Sequence, residues 1–168
     1  MEPLTETGIR ASFVNCTKGE AKRLHVPRDL GELRWGDLDF LGWRDPAAPD
    51  RGYLVVPGGS EGAGPVGVAL RATTARRGTA HRGMCSVCLT THPGSGVALM
   101  AARKAGADGR KGDSVGAYMC AGLDCPLYVR RIKVSKAVGG RPQESLTLDE
   151  QIARTLARLD AFVGKVLR

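Results

Sequence analysis

The chain has 168 residues, of which 42% are apolar and 5% aromatic, with 23 glycines, 9 prolines and a formal net charge of +8. That length holds a single domain over residues 1–168 with a lean core, and the glycine and proline content implies many loops. No apolar run approaches the roughly 18 residues of a membrane span, and the N-terminus MEPLTETGIRASF lacks the apolar stretch of a signal peptide, so a soluble cytoplasmic protein is expected.

Along residues 1–80, Thr5 caps an expected short helix running to Phe13 or Val14, with Ile9 and Phe13 one turn apart. Cys16, in SFVNCTKGEAK, reads as a small buried apolar residue. LDFLGWRDPAAPD is a compact apolar segment ending in a proline-rich turn, and Trp35, Phe40, Leu41 and Trp43 are its expected core anchors. GYLVV and PVGVALRAT are two β-rich runs separated by a glycine-rich turn, which predicts a hairpin. Arg76 to Ala80 is expected to form an exposed arm.

Residues 81–168 begin with a pair of cysteines, Cys85 and Cys88, in GMCSVCLTTHPG. The residues Thr90 to Gly94 read as a loop, and GVALMAARKAG as a strand. ADGRKGD is a turn by composition, and SVGAYMC is a second strand leading into Cys120. Cys125 then opens CPLYVRRIK, a short helix or extended exit in which Pro126 suits the first turn. AVGGRPQES reads as a flexible linker. Thr147 and Glu150 have capping-box spacing, and Ile152, Leu156, Leu159 and Val163 recur at helical spacing, which predicts a long C-terminal helix. Phe162 lies beside that apolar stripe, as a core residue or a partner-facing aromatic.

The two cysteine pairs carry the chemistry. Two residues separate Cys85 from Cys88, four separate Cys120 from Cys125, and 31 lie between the pairs, enough for a hairpin and a return. Zinc takes four thiolate or imidazole ligands in a tetrahedron, and each tight turn supplies one edge of it. A redox dithiol belongs at a helix start after a strand and leaves the second pair unexplained. Structural disulfides are disfavoured inside a cell. His92 remains a competing ligand or a hydrogen-bond donor to the site. Four cysteines fill the metal shell, and neither His81 nor His92 begins the H-x-E element a zinc deaminase needs. The expected role of the zinc is therefore structural, and no enzymatic activity is expected. A cysteine turn, a hairpin and a second pair at a helix start match a treble-clef finger, with a zinc ribbon as the alternative. The fold class is α+β: a small antiparallel sheet with a treble-clef zinc finger and a long C-terminal helix.

Acids and bases roughly balance up to Asp50, and the basic excess follows, at Arg71, Arg76, Arg77 and Arg82, at Arg103, Lys104, Arg110 and Lys111, and at Arg130, Arg131, Lys133 and Lys136. These groups bracket both cysteine pairs. Such a surface suits RNA phosphate or an acidic protein, and charge does not separate the two.

Taken together, SFVNCTKGEAKRL, LDFLGWRDP, MCSVCLTTHPG, VGAYMCAGLDC and ESLTLDEQIARTLARL resemble the C-terminal treble-clef domain of the elongation factor G-binding proteins. These are also called fibronectin-binding proteins, and they include the fusidic-acid resistance proteins. The resemblance implies a non-enzymatic protein that binds elongation factor G or the ribosome and modulates translation, as the resistance members do when they release a drug-stalled factor. It implies zinc on Cys85, Cys88, Cys120 and Cys125, with Lys111, Tyr118 and Phe162 as positions for factor binding. The resistance proteins carry a further N-terminal helical bundle that 168 residues are too few to hold. An RNA-binding, ribosome-associated zinc finger contacting ribosomal RNA is the alternative function.

Overall fold

Thr5 opens the first helix, Glu6–Ser12 (α1), by accepting the Gly8 amide on its side chain, which satisfies a donor that every helix start leaves over. A second helix, Lys18–Arg23 (α2), begins with a reciprocal capping box between Thr17 and Glu20. Arg10 of α1 then closes it: Nη1 donates to the carbonyls of Ala21, Lys22 and Leu24 at 2.9, 2.8 and 2.9 Å. Hydrophobic periodicity does not reveal α2, whose buried residue is Ala21. The TKGE capping box is the signal that finds it.

The computed structural model describes residues 1–58, 64–73, 82–137 and 144–168. Its strands are Leu41–Arg44 (β1), Arg51–Val56 (β2), Val66–Ala72 (β3), Arg82–Met84 (β4), Thr91–Pro93 (β5), Val97–Arg103 (β6) and Ser114–Cys120 (β7). A five-stranded antiparallel sheet runs β1-β2-β3-β6-β7, and β4 pairs with β5 in a small hairpin. Three further helices follow β6: Gly106–Arg110 (α3), Cys125–Val129 (α4) and Leu148–Leu167 (α5).

Alternation along the strands gives the sheet two buried faces. Leu54, Val56, Val68, Leu70, Met100, Ala102 and Met119 point to one core, shared with the four paired cysteines and with Leu159, Phe162, Val163 and Val166 of α5. Tyr53 and Val55 point the other way, with Leu41 and Trp43, onto Ile9, Ala21 and Leu24 of the N-terminal layer. Both indoles sit in that second core with their N–H groups used: Trp35 donates to Leu30 O at 2.9 Å and Trp43 to His25 O at 2.8 Å.

The small antiparallel sheet, the finger and the C-terminal helix are all present, and α5 starts at the Thr147–Glu150 capping box. Several local expectations change. LDFLGWRDP contains an edge strand, β1, instead of only a compact apolar segment. The loop at Thr91–Pro93 is a strand, because β4 supplies it with a partner that its three residues do not announce. ADGRKGD opens as the short helix α3 before it turns. The expected arm at Arg76 to Ala80 and the middle of the AVGGRPQES linker lie outside the described residues.

Candidate metal centre

The first cysteine pair occupies the turn between β4 and β5, and the second bridges β7 to α4. Both turns pass through a leucine in the left-handed region, Leu89 at φ 61° and Leu123 at φ 62°. That conformation costs a leucine energy that the surroundings must offset. Matching hydrogen bonds do so locally: Leu89 N donates to Cys85 O and Leu123 N to Cys120 O, each at 2.9 Å. The two knuckles are also tied to each other, since Ser86 N and Ser86 Oγ both donate to Tyr118 O at 2.7 Å.

This bracing brings the four sulfurs together. Cys85 Sγ lies 3.7 Å from Cys125 Sγ, Cys88 Sγ lies 3.5 Å from Cys120 Sγ, and all four fall within 4.8 Å of one another. A disulfide needs about 2.05 Å between sulfurs, whereas a tetrahedron with metal–sulfur bonds of about 2.3 Å spaces them at about 3.8 Å. All four cysteines are free and buried. Without a cation the thiols compete: hydrogen bonds from Cys120 and Cys125 hold Cys85 low, while hydrogen bonds with Cys120, Cys85 and Cys88, and then burial, push Cys125 far up. Four thiolates therefore coexist in this pocket only around a positive ion. The donor set and its spacing fit zinc.

A zinc ion on four thiolates carries a net charge of −2, and the surroundings answer it. His92 is buried, with Nε2 3.3 Å from Cys120 Sγ and its ring edge-on to Tyr128 at 4.7 Å between centroids. It stands beside the sulfur cluster as a hydrogen-bonding partner, and the cysteine shell is complete without it. Thr90 Oγ1 lies 3.3 Å from Cys88 Sγ, and the Cys88 amide donates to Cys85 Sγ at 3.5 Å. Arg154 on α5 and Lys133 after α4 are held above their ordinary basicity chiefly by their ion-pair partners Glu144 and Asp124, with a smaller attraction from Cys88 and Cys120. Lys133 belongs to the basic stretch the sequence places after the second cysteine pair, whereas Arg154 comes near only through the packing of α5. Replacing His92 by alanine is expected to keep zinc bound but to weaken it by about 10–100-fold. Competition with a chromophoric chelator measures this.

The three other positions expected to bind a partner fall in different places. Tyr118, on β7 next to the knuckle, is 41% exposed. Lys111 is exposed at the C-cap of α3, near the opposite end of β7. Phe162 is 5% exposed and packs into the core between α5 and the sheet, which corrects its assignment as a contact residue. The helix turns every 3.6 residues, so Phe162 shares a buried face with Leu159, Val163 and Val166.

Gly42 shows how closely the sheet approaches the second knuckle. A β-carbon there would stand 2.6 Å from Leu123 O and 2.7 Å from Leu123 Cβ. Leu123 lies between two metal ligands and has little room to retreat. Gly42→Ala is expected to destabilise by about 1–3 kcal/mol, read as a lower thermal midpoint. Gly31→Ala is the control, because nothing lies within 4 Å of where its β-carbon would stand.

Comparison with known families gives a match to the FBP C-terminal treble-clef zinc-finger over residues 8–166. The chain belongs to this family. Its cofactor is a structural zinc ion, given the family's finger and the four-cysteine cluster. The fold is also similar to a solved structure of the fusidic acid resistance protein FusC, with a TM-score of 0.54 and 15% identity. That match covers 88% of this chain and 53% of the other, so this chain spans about half the length of FusC. A comparison with curated proteins gives no match. Among the described residues, no helix is long and apolar enough to cross a membrane.

Proposed function

We propose that this chain is a non-enzymatic cytoplasmic docking module that binds elongation factor G and alters its residence on the ribosome. The observation that carries the reading is family membership along nearly the whole chain, joined to a metal shell that four buried thiolates fill. Such a shell leaves no position for an activated water, so the zinc serves as a staple. The staple presents a surface beside the first knuckle, where Met84 is 54% exposed and Tyr118 41%. Arg158 of α5 reaches the same place, donating to Ser86 O at 3.0 Å. Apolar and aromatic groups set among cations suit a protein interface. The similarity to FusC, a fusidic acid resistance protein, extends the proposal to release of a stalled factor.

Capture of purified elongation factor G by the zinc-loaded chain tests this. Binding at micromolar concentration that Tyr118→Ala weakens is the expected result, with a smaller effect of Lys111→Ala, which lies toward the other end of β7. Absence of any binding at that concentration overturns the reading.

A second reading, contact with ribosomal RNA, draws on the exposed cations Arg110, Lys111, Arg131 and Lys136. Tyr118 is the one exposed aromatic among the described residues, so stacking contributes little and affinity should fall steeply with salt. Co-sedimentation with ribosomes, with and without elongation factor G and across salt concentrations, separates the two.

A further inference from the structure

The N-terminal layer does not cover its face of the sheet evenly. The helices pack beneath β1 to β3, and beyond them a cavity of about 530 Å³ opens between α2, the Asn15–Cys16 connection and strands β2, β3 and β6. It lies on the face of the sheet opposite the cysteine cluster. Four arginines line it, Arg23, Arg51, Arg71 and Arg103, against the single carboxylate of Glu20.

The sheet register explains why this is more than a scatter of surface charge. Arg51 stands directly opposite Arg71 across the β2–β3 pairing, and Arg71 stands opposite Ala101, two residues before Arg103. Strand alternation sends these side chains to the same face as Tyr53. Like charges in direct opposition destabilise a sheet unless an anion lies between or beside them. Asp50 answers one of them, at 3.1 Å from Arg71 Nη1 in an exposed pair. Among the described residues, no carboxylate lies within salt-bridge distance of Arg23, Arg51 or Arg103. Glu20 accepts the Thr17 amide at 2.7 Å in the capping box of α2, and that bond, with a lesser attraction from Arg103 and Arg23, holds its carboxyl below the usual range, so one carboxylate faces several guanidinium groups.

The cavity is also built. The Asn15 side chain donates to Ala69 O at 2.9 Å and Arg103 O at 3.0 Å, and accepts the Ala69 amide at 2.8 Å. These bonds fix the helix connection to both β3 and β6, so the wall is preformed.

We propose that this cavity binds a small phosphorylated molecule, with Arg23, Arg51 and Arg103 as the guanidinium groups that hold its phosphate oxygens. The planar fork of arginine matches phosphate bidentately. The volume falls in the range of about 300–1,000 Å³ usual for small-molecule sites. Ala69, Ala101 and the Tyr53 ring supply an apolar floor. A single RNA strand fits less well, since it needs an aromatic platform beside the cations. Tyr53 is buried, and its hydroxyl is held 3.2 Å from Asp45 Oδ2 with the Arg51 side chain beside it.

Calorimetric titration of the zinc-loaded full chain with pyrophosphate, a nucleoside diphosphate and a short single-stranded RNA, at constant ionic strength, tests the proposal. One small anion per chain is expected to bind, and Arg51→Gln combined with Arg103→Gln should weaken it at least about tenfold, the loss expected from charge-assisted hydrogen bonds. Zinc content should not change, and the thermal midpoint should hold or rise, because Arg51→Gln relieves its opposition to Arg71. Arg23→Gln, on the exposed side of α2, is the second variant and should weaken the same anion. Equal affinity for both small ligands assigns recognition to the phosphates, and tighter binding of the nucleoside diphosphate adds its base or ribose. The proposal fails if neither binds at millimolar concentration, if the substitutions leave affinity unchanged, or if RNA binds while the small anions do not.

Discussion

Cys120→Ser is expected to abolish zinc binding and with it the cooperative unfolding transition of the finger. Cys120 ends β7 and Cys125 opens α4, while Cys85 and Cys88 close the turn between β4 and β5. The metal therefore joins three pieces of chain that otherwise meet through short strands and a helix of five residues. Structural zinc contributes about 10–16 kcal/mol in small peptides, against about 5–15 kcal/mol for the net stability of a whole domain. Serine offers a hydroxyl that does not ionise to a thiolate-like ligand at neutral pH, and the remaining three thiols keep the electrostatic conflict described above. A strong chelator should have the same effect on the unsubstituted chain. The measurements are zinc released per chain on unfolding and the melting curve by circular dichroism. Cys16→Ser is the control: Cys16 is half-buried and lies away from the cluster, so both readouts should be unmoved. Retention of zinc and of the melting temperature in Cys120→Ser would mean that the ligand set is wrong.

The metal centre was legible because its signal is local. Two short spacings define two turns, and zinc chemistry supplies the rest. The C-terminal helix was legible for a similar reason, with Thr147 and Glu150 marking its start and an apolar stripe marking its face. The other findings depend on contacts between distant segments. β5 is a strand only because β4 lies beside it, and Thr91–Pro93 has no alternation to display. The sequence left His92 open between ligand and donor, because a position four residues beyond Cys88 fits either role. Packing of its ring against Tyr128 fixes Nε2 beside Cys120. Phe162 borders the apolar stripe, and α5 packs with a face wide enough to include it. The opposed arginines Arg51 and Arg71 come from a hairpin register, which the glycine-rich turn between the two runs does not specify.

Asp39→Ala should lower stability by about 3–5 kcal/mol, the cost of leaving a buried charge without its partner. Asp39 precedes β1 and receives both arms of the Arg130 guanidinium, at 2.5 and 2.8 Å. Their side chains are 10% and 16% exposed. Asp39 is the main influence that holds Arg130 above its ordinary basicity. Arg130 caps the end of α4, the helix that Cys125 begins, so this pair fastens the edge of the sheet to the second knuckle. For a chain of this size the loss amounts to a fall of about 6–15 °C in melting temperature. Zinc should also be released faster, since the knuckle loses its tether while its ligands are unchanged. Arg130→Lys should restore little, because an ammonium does not reproduce the two-armed contact. Joint replacement, Asp39→Leu with Arg130→Met, should recover most of the stability, because no charge is then left buried. A single Asp39→Ala shift within the small range of exposed ion pairs would show instead that solvent reaches the pair and that the tether lies in the backbone contacts around Gly42 and Leu123.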